Sequence, residues 1–284
     1  MGLILADNKK ISLGELSTPR ALSAMPFGGR YRIIDFMLSD MVNSGIKNVG
    51  LLTYNKYKSL MDHTGTGAAW SLDRKNDGLH ILPPYVNSEA SSTISDEELT
   101  GVMDFLRQSR STYVIVTGSN IILNTTFDDF IRSHEESGAD ISVMYNRDGT
   151  KYGNPSYILD IDEDGFVRDM LYNPPKAASS KCSLGILCLR RDLLIDIIAK
   201  QMAHGTTHFG IHSIVKMFDC SMQANWLPDD RHTIKVAGSY MHLDLAVLIL
   251  YGLEQAEANP RWDIFADISF VSNYGSKDAR RWQP

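Results

Sequence analysis

The feature that most constrains the fold is an alternation of short apolar runs with longer segments whose apolar residues recur at helical spacing. Runs typical of buried strands occupy residues 2–6, 48–53, 113–118 and 140–145. The helical segments cover residues 33–45, where Gly45 is a natural stop, and 127–137. This β-α-β-α order predicts the α/β class, with a mostly parallel central sheet and helices on both faces.

The middle of the chain has a different pattern. Residues 157–162 and 167–171 predict a hairpin closed by an acidic turn, followed by a strand at 184–189 and a helix at 193–202. Residues 76–100 are polar and irregular, and within them 88–98 predict a mobile surface loop. One α/β domain is therefore expected to fill most of the chain.

Composition limits the classes of partner and compartment. The net charge of −6 argues against a nucleic-acid-binding surface as the main role, because such surfaces concentrate Lys and Arg. We find no apolar run near the roughly 18–20 residues of a membrane helix, and the start of the chain lacks a signal-peptide pattern. Three cysteines without a C-x-x-C pair indicate reduced, buried thiols. We expect a cytoplasmic protein that binds neither nucleic acid nor membranes.

The expected strand order also predicts where ligands bind. In parallel sheets the ligand site lies beyond the carboxyl ends of the strands. The loops after Ala6, Thr53 and Gly118 are therefore the first places to look for chemistry.

The longest motif covers residues 26–36, which read P-F-G-G-R-Y-R-I-I-D-F, and continues as L-S at 38–39 and V-N-S-G-I at 42–46. It resembles the signature of ADP-glucose pyrophosphorylases (glucose-1-phosphate adenylyltransferases), the nucleotidyltransferases that join glucose 1-phosphate to ATP in glycogen and starch synthesis. Supporting matches are Leu52-Thr53, Leu60, His63, Trp70, Gly101, Asp104, Arg107, Gln108, Ser183, Gly185, Ile186 and Phe209-Gly210. The resemblance implies a Rossmann-like, GT-A-like nucleotidyltransferase fold.

This chain departs from the family at the positions that carry the chemistry. Without gaps, the family's triphosphate loop G-G-x-G-x-R becomes D-N-K-K-I-S at 7–12, and the lysine of R-A-K-P, the metal-binding aspartate of G-D-H, the lysine of E-K-P and the aspartate of W-R-D are also replaced. The residues at the degenerate positions are Ser12, Leu22, Ser119, Asn173 and Leu243. Asp244, one position away from the last, is a weak candidate metal ligand. We therefore predict no catalytic residues, no metal and no cofactor for this chain, and Mg²⁺ for a catalytic partner.

Such a set of losses resembles the GlgD-type, non-catalytic subunit of bacterial ADP-glucose pyrophosphorylase. It implies a pseudoenzyme that is inactive alone, forms a hetero-oligomer with a catalytic subunit, and regulates it, with a sugar phosphate or nucleotide as possible effector. The ligand-binding candidates are Gly28, Gly29, Arg30, Arg32, Asp104, Ser183 and Gly185. The glycines could instead form a tight turn, the arginines could form surface salt bridges, and Asp35 is expected to cap the helix that follows it.

Two other functions stay open. One is a weakly active sugar-phosphate nucleotidyltransferase that uses Asp104, Asp244 and Arg30; the other is a sugar-phosphate or nucleotide sensor without a catalytic partner. The family continues into a left-handed β-helix domain. We therefore expect a nucleotidyltransferase-like domain at 1–258 and a linker or truncated tail at 259–284, where that domain would begin.

Overall fold

The computed structural model describes residues 1–6, 20–27, 31–53, 56–75, 77–82, 96–123, 125–147, 157–172, 174, 179–204, 214, 222–226 and 234–235. The strands are β1 Gly2–Leu5, β2 Pro26–Phe27, β3 Tyr31–Arg32, β4 Asn48–Leu52, β5 Gly78–Leu82, β6 Tyr113–Gly118, β7 Ile121–Ile122, β8 Ile141–Asn146, β9 Tyr157–Ile161, β10 Val167–Tyr172, β11 Cys182–Arg190, β12 Met222–Trp226 and β13 Ile234–Lys235. The α-helices are α1 Ile33–Asn43, α2 Lys58–Thr64, α3 Asp96–Gln108, α4 Asp128–Ser137 and α5 Arg191–Ala203. Short 3-10 turns cover Leu22–Ala24 and Ala68–Trp70.

Parallel pairing organises one half of the central sheet. β1 lies between β4 and β6 and is parallel to both, and β5 continues the parallel ladder beyond β4. Leu5 aligns with Leu52 of β4 and with Gly118 of β6. The carboxyl ends of the three strands therefore lie at one level, as the predicted ligand site requires.

The sheet changes direction at β11, which is antiparallel to β6 and to β8. Cys182, the first residue of β11, pairs with Asn146 of β8 on one edge and with Ile158 of β9 on the other. Because β6 occupies that second edge of β11 further along, the β9–β10 hairpin lies beyond the carboxyl end of β6. β12 pairs in parallel with β8 and extends the sheet to nine strands.

Two apolar layers cover the sheet. On β6, Ile115 points into the layer that contains residues of α1, α2 and α4, while Val114 and Val116 point into the layer that contains residues of α3 and α5. This alternation follows from the two-residue period of a strand, whose successive side chains face opposite sides. The predicted α/β class with helices on both faces is confirmed.

Residues 76–100, which the sequence predicted to be irregular, contain regular structure. β5 occupies Gly78–Leu82, and α3 begins at Asp96. Four of the five residues of β5 are partly exposed, so its composition gives little hydrophobic signal, and backbone pairing with β4 defines it instead. The sequence at the start of α3 is acidic, which suits the first turn of a helix but gives no hydrophobic signal. Residues 88–95 of the predicted loop lie outside the described residues.

Both cysteines that the structure describes are buried, as the sequence predicted. Cys182 and Cys188 lie on β11 and are buried, and burial raises the pKa of Cys188 to about 12. Cys220 lies outside the described residues. None of the helices described is long and apolar enough to span a membrane.

Candidate functional site

Three backbone segments meet where β1, β4 and β6 end. The N–H of Ala6 donates to the carbonyl of Leu52 at 2.8 Å, and the N–H of Thr53 donates to the carbonyl of Leu82 at 3.1 Å. The hydroxyl of Ser119 donates to the carbonyl of Ala6 at 2.7 Å. The carboxyl edge predicted from the strand order is thus a connected surface.

Ser119 closes this edge instead of presenting a charge. The residue is 3% exposed, and its Oγ is the donor that holds the end of β6 to the end of β1. Mg²⁺ is usually held through one or two carboxylates. The described residues at this edge that follow β1, β4 and β6 are Ala6, Thr53, Ser119 and Asn120, and none carries a carboxylate. This part of the edge does not fit a magnesium ion.

Leu22 lies in the hydrophobic core. It opens the 3-10 turn Leu22–Ala24, is 4% exposed, and belongs to the apolar cluster that includes Ile4 of β1 and Leu60 of α2. The side chain that replaces the family's lysine therefore contributes to the packing between the sheet and the helices.

A polar cluster fixes the start of α1. Asp35 is 1% exposed; its Oδ2 accepts the backbone N–H of Arg32 at 2.9 Å, as expected for a helix cap, and its Oδ1 lies 2.6 Å from Nε2 of His63 on α2. The Nη1 of Arg32 donates to the carbonyl of Ser59 at 2.6 Å and to its hydroxyl at 2.9 Å. Arg32 and Asp35 thus join α1 to α2, and one nitrogen of the predicted ligand-binding arginine is engaged within the protein.

Ser183 and Gly185 form a bulge in β11. The pairing of β11 with β8 shifts between Ser183 and Ile186, Gly185 adopts φ +73°, and its N–H donates to the Ser183 hydroxyl at 3.0 Å. Ile186 pairs with Thr117, so the bulge lies alongside the carboxyl end of β6. The structure therefore brings these two candidates to the same edge as Ser119.

Two tyrosines face each other at the open end of the β9–β10 hairpin. Tyr157 pairs with Tyr172, and their ring centroids are 5.1 Å apart at an interplanar angle of 50°. Burial, with a further contribution from Tyr172, raises the pKa of Tyr157 to about 12. This contact was not predicted, although extending the predicted hairpin by one residue places Tyr172 opposite Tyr157.

Asp104 lies away from this edge. It is exposed on α3, whose apolar residues, among them Val102 and Leu106, pack in the layer between the helix and the sheet. The exposed side of α3 faces away from that layer. The structure does not place Asp104 beside Ser119 or Ser183.

The remaining predicted site residues lie outside the described residues. They are Ser12, Gly28, Gly29, Arg30, Asn173, Leu243 and Asp244. Their assignments stay predictions.

A mostly parallel sheet covered by helices on both faces, with a site at the carboxyl ends of its strands, is typical of nucleotide-handling α/β proteins. The family described as Nucleotidyl transferase matches residues 1–224, and the chain belongs to that family. A structure of a putative glucose-1-phosphate thymidylyltransferase from Bacillus anthracis, in complex with a sucrose, has the same fold, with a TM-score of 0.61 at 13% identity over 80% of this chain and 86% of that chain.

Two curated relatives are more similar in sequence. The chain is 38% identical over 173 residues to the glycogen biosynthesis protein GlgD of Bacillus subtilis (strain 168), covering 61% of this chain and 49% of that protein. It is 35% identical over 203 residues to the glucose-1-phosphate adenylyltransferase of Thermotoga neapolitana, covering 71% and 48%. The chain spans about half the length of these relatives. The resemblance to ADP-glucose pyrophosphorylases and their GlgD-type members is confirmed.

Proposed function

We propose that this chain is a catalytically deficient subunit that regulates a catalytic ADP-glucose pyrophosphorylase subunit of the same fold in glycogen biosynthesis. The observation that carries the proposal is the Ser119 hydroxyl, which is committed to the Ala6 carbonyl at the position where the family holds a metal-binding aspartate. A nucleotidyl transfer depends on positioning and on electrostatic stabilisation of the phosphates. A side chain that only ties two strands together supplies neither a negative ligand for Mg²⁺ nor a positive contact for phosphate.

Leu22 supports the same proposal. A lysine at this position would reach the phosphates from the edge of the site, whereas Leu22 is packed among apolar side chains. Removing one preorganised group of this kind typically lowers turnover by about 10²–10³-fold. Two such losses together leave little turnover to detect, although the sequence motif at residues 26–46 is retained.

The proposal assigns a role to the preserved scaffold. Asp35, His63 and Arg32 hold α1 and α2 together through contacts that do not depend on a ligand. A subunit that only has to present a folded surface to its partner needs such contacts, whereas it does not need the charges of the chemical step.

The test is pyrophosphate release from ATP and glucose 1-phosphate with Mg²⁺, measured for this chain alone, for a catalytic subunit alone, and for the mixture. We expect no release by the chain alone and a changed rate or substrate affinity in the mixture. The matched control is the same mixture made with a heat-unfolded sample of this chain, which should leave the catalytic subunit unchanged.

Two outcomes contradict the proposal and identify the alternatives. Mg²⁺-dependent release by the chain alone, abolished by Asp104→Asn or Asp244→Asn, indicates a weakly active enzyme. A sensor module is indicated if the chain alone releases no pyrophosphate and leaves the catalytic subunit unchanged in the mixture, while ATP or glucose 1-phosphate raises the melting temperature of the chain alone.

A further inference from the structure

A buried carboxyl group lies in the second half of α1, away from the carboxyl edge of the sheet. Asp40 is 1% exposed, and its Oδ2 is buried without a hydrogen-bond partner. The backbone of Thr125 makes a hydrogen bond to the carboxyl group. A second buried oxygen without a partner, Oδ1 of Asn43, follows three residues later on the same helix. Residues three apart lie on one side of a helix, about 5–6 Å apart at Cβ.

Both orphaned oxygens are acceptors while Asp40 is ionised. An unsatisfied buried acceptor destabilises the folded state, and an ionised one does so more strongly. A single proton on Asp40 removes its charge and also supplies a donor, because a protonated carboxyl group carries an O–H. That donor can serve the amide oxygen of Asn43, so one proton satisfies the two oxygens together.

Among the described residues, the elements with the most contacts to α1 contribute little charge that could stabilise the ionised form of Asp40. β7 and the two 3-10 turns, which all pack against α1, carry no charged residue. β3 contributes Tyr31 and Arg32, but Arg32 precedes Asp40 by eight residues, about 12 Å along the helix axis, and its Nη1 is bound to Ser59. Asp35 on α1 itself is paired with His63.

The charged residues at the start of α4 are exposed to solvent. Asp128 and Asp129 lie in the first turn of α4, which follows directly after the Thr125–Phe127 segment. Asp129 pairs with Arg132 on the same helix, and exposed charges such as these act weakly through solvent. In agreement with this geometry, burial raises the pKa of Asp40 well above its ordinary value, and the Thr125 hydrogen bond offsets part of the effect.

We propose that Asp40 is a neutral carboxylic acid that donates a hydrogen bond to Asn43, so that the packing of the end of α1 depends on one buried proton. The same helix end is joined to the segment that leads into α4 through Ser44, whose contacts do not involve the Asp40 side chain. The Ser44 hydroxyl donates to the Asp40 carbonyl and accepts the N–H of Phe127 at 2.7 Å. Ionisation of Asp40 would leave its Oδ2 and the Asn43 Oδ1 without a donor and would so destabilise the buried end of α1.

The experiment compares the urea-unfolding equilibrium of the unmodified chain with that of Asp40→Asn and Asn43→Ala across pH 4–9, with Asp104→Asn as the matched control. A folded-state pKa above the unfolded one means that stability is present at low pH and is lost as pH rises toward the folded pKa. Relative to Asp40→Asn, the unmodified chain should lose about tenfold in its folding equilibrium constant per pH unit in that window. Asp104→Asn, on an exposed helix face, should follow the unmodified chain.

The second variant tests the donation to Asn43. Removing the acceptor withdraws support from the neutral form, so Asn43→Ala should move the end of the pH-dependent window to lower pH. An infrared carbonyl band of a protonated carboxyl group at neutral pH, absent from Asp40→Asn, should accompany the effect. Parallel profiles for Asp40→Asn and the unmodified chain overturn the neutral carboxyl group. An Asn43→Ala profile that ends at the same pH overturns the hydrogen bond to Asn43.

Discussion

The chemistry of a single position depends on what its side chain already does in the fold, and Leu22 is the clearest case. Leu22→Lys removes a buried apolar side chain and places an ammonium group in the cluster around Ile4 and Leu60. We expect it to lower the free energy of unfolding by at least about 2 kcal/mol, measured by urea unfolding at neutral pH. Leu171→Lys, at a position 42% exposed, is the control and should change it by no more than about 0.5 kcal/mol. Equal stability of both variants would mean that position 22 can face a phosphate.

His134 predicts a second residue-scale effect, on acid stability. It is 2% exposed, its Nδ1 lies 2.8 Å from the Ser142 hydroxyl, and burial lowers its pKa. The folded state therefore holds it neutral, while the unfolded chain takes up a proton below the ordinary pKa of about 6.5. Stability should fall as pH decreases from about 6.5 toward the lowered pKa.

His134→Gln tests that cause. This variant should lose the part of the acid sensitivity below about pH 6.5 that the buried imidazole produces. The exposed His204, at the end of α5, supplies the matched variant His204→Gln, which should retain the profile of the unmodified chain. If His134→Gln also retains it, another group titrates in this range.

At the scale of elements, the bulge in β11 depends on the backbone conformation of Gly185. Gly185 has φ +73°, a conformation that costs a residue with a Cβ about 1–2 kcal/mol. Gly185→Ala should therefore destabilise the chain by about that amount in urea unfolding. Gly101→Ala is the control with the opposite sign, because a Cβ there meets nothing within 4 Å on α3. Alanine should stabilise that helix by about 0.5–1 kcal/mol. A neutral Gly185→Ala would show that the bulge can relax.

The elements also show what the sequence could predict. β6 was predicted with its observed bounds because all of its core positions are buried and its composition is β-branched. β5 and the start of α3 were missed because their signals depend on pairing with β4 and on a polar first turn. At the site, the strand order predicted that Ala6, Thr53 and Ser119 meet. The Asp35–His63 contact joins residues 28 apart in sequence, and the packing of α1 against α2 determines it.

For the whole molecule, the central sheet makes the two apolar layers depend on one another. Ile115 of β6 is buried in the layer with α1 and α4. Leu187 of β11, which pairs with Val116 of β6, is buried in the layer with α3 and α5. Truncating either side chain to alanine lowers the free energy of unfolding by about 2–5 kcal/mol. Because both side chains extend from adjacent strands of one sheet, neither layer can lose its packing without disturbing the pairing that supports the other.

Ile115→Ala and Leu187→Ala should therefore act on the same cooperative transition. We expect each variant to lower the protection of the β6 amides against hydrogen exchange, and each to move the urea midpoints of α1-layer and α3-layer amides together. The exposed Leu171→Ala is the control and should leave both unchanged. If Leu187→Ala releases only the α3 layer while the α1 layer keeps its midpoint, the layers are separate folding units. A partner subunit could then bind and order one layer without stabilising the other.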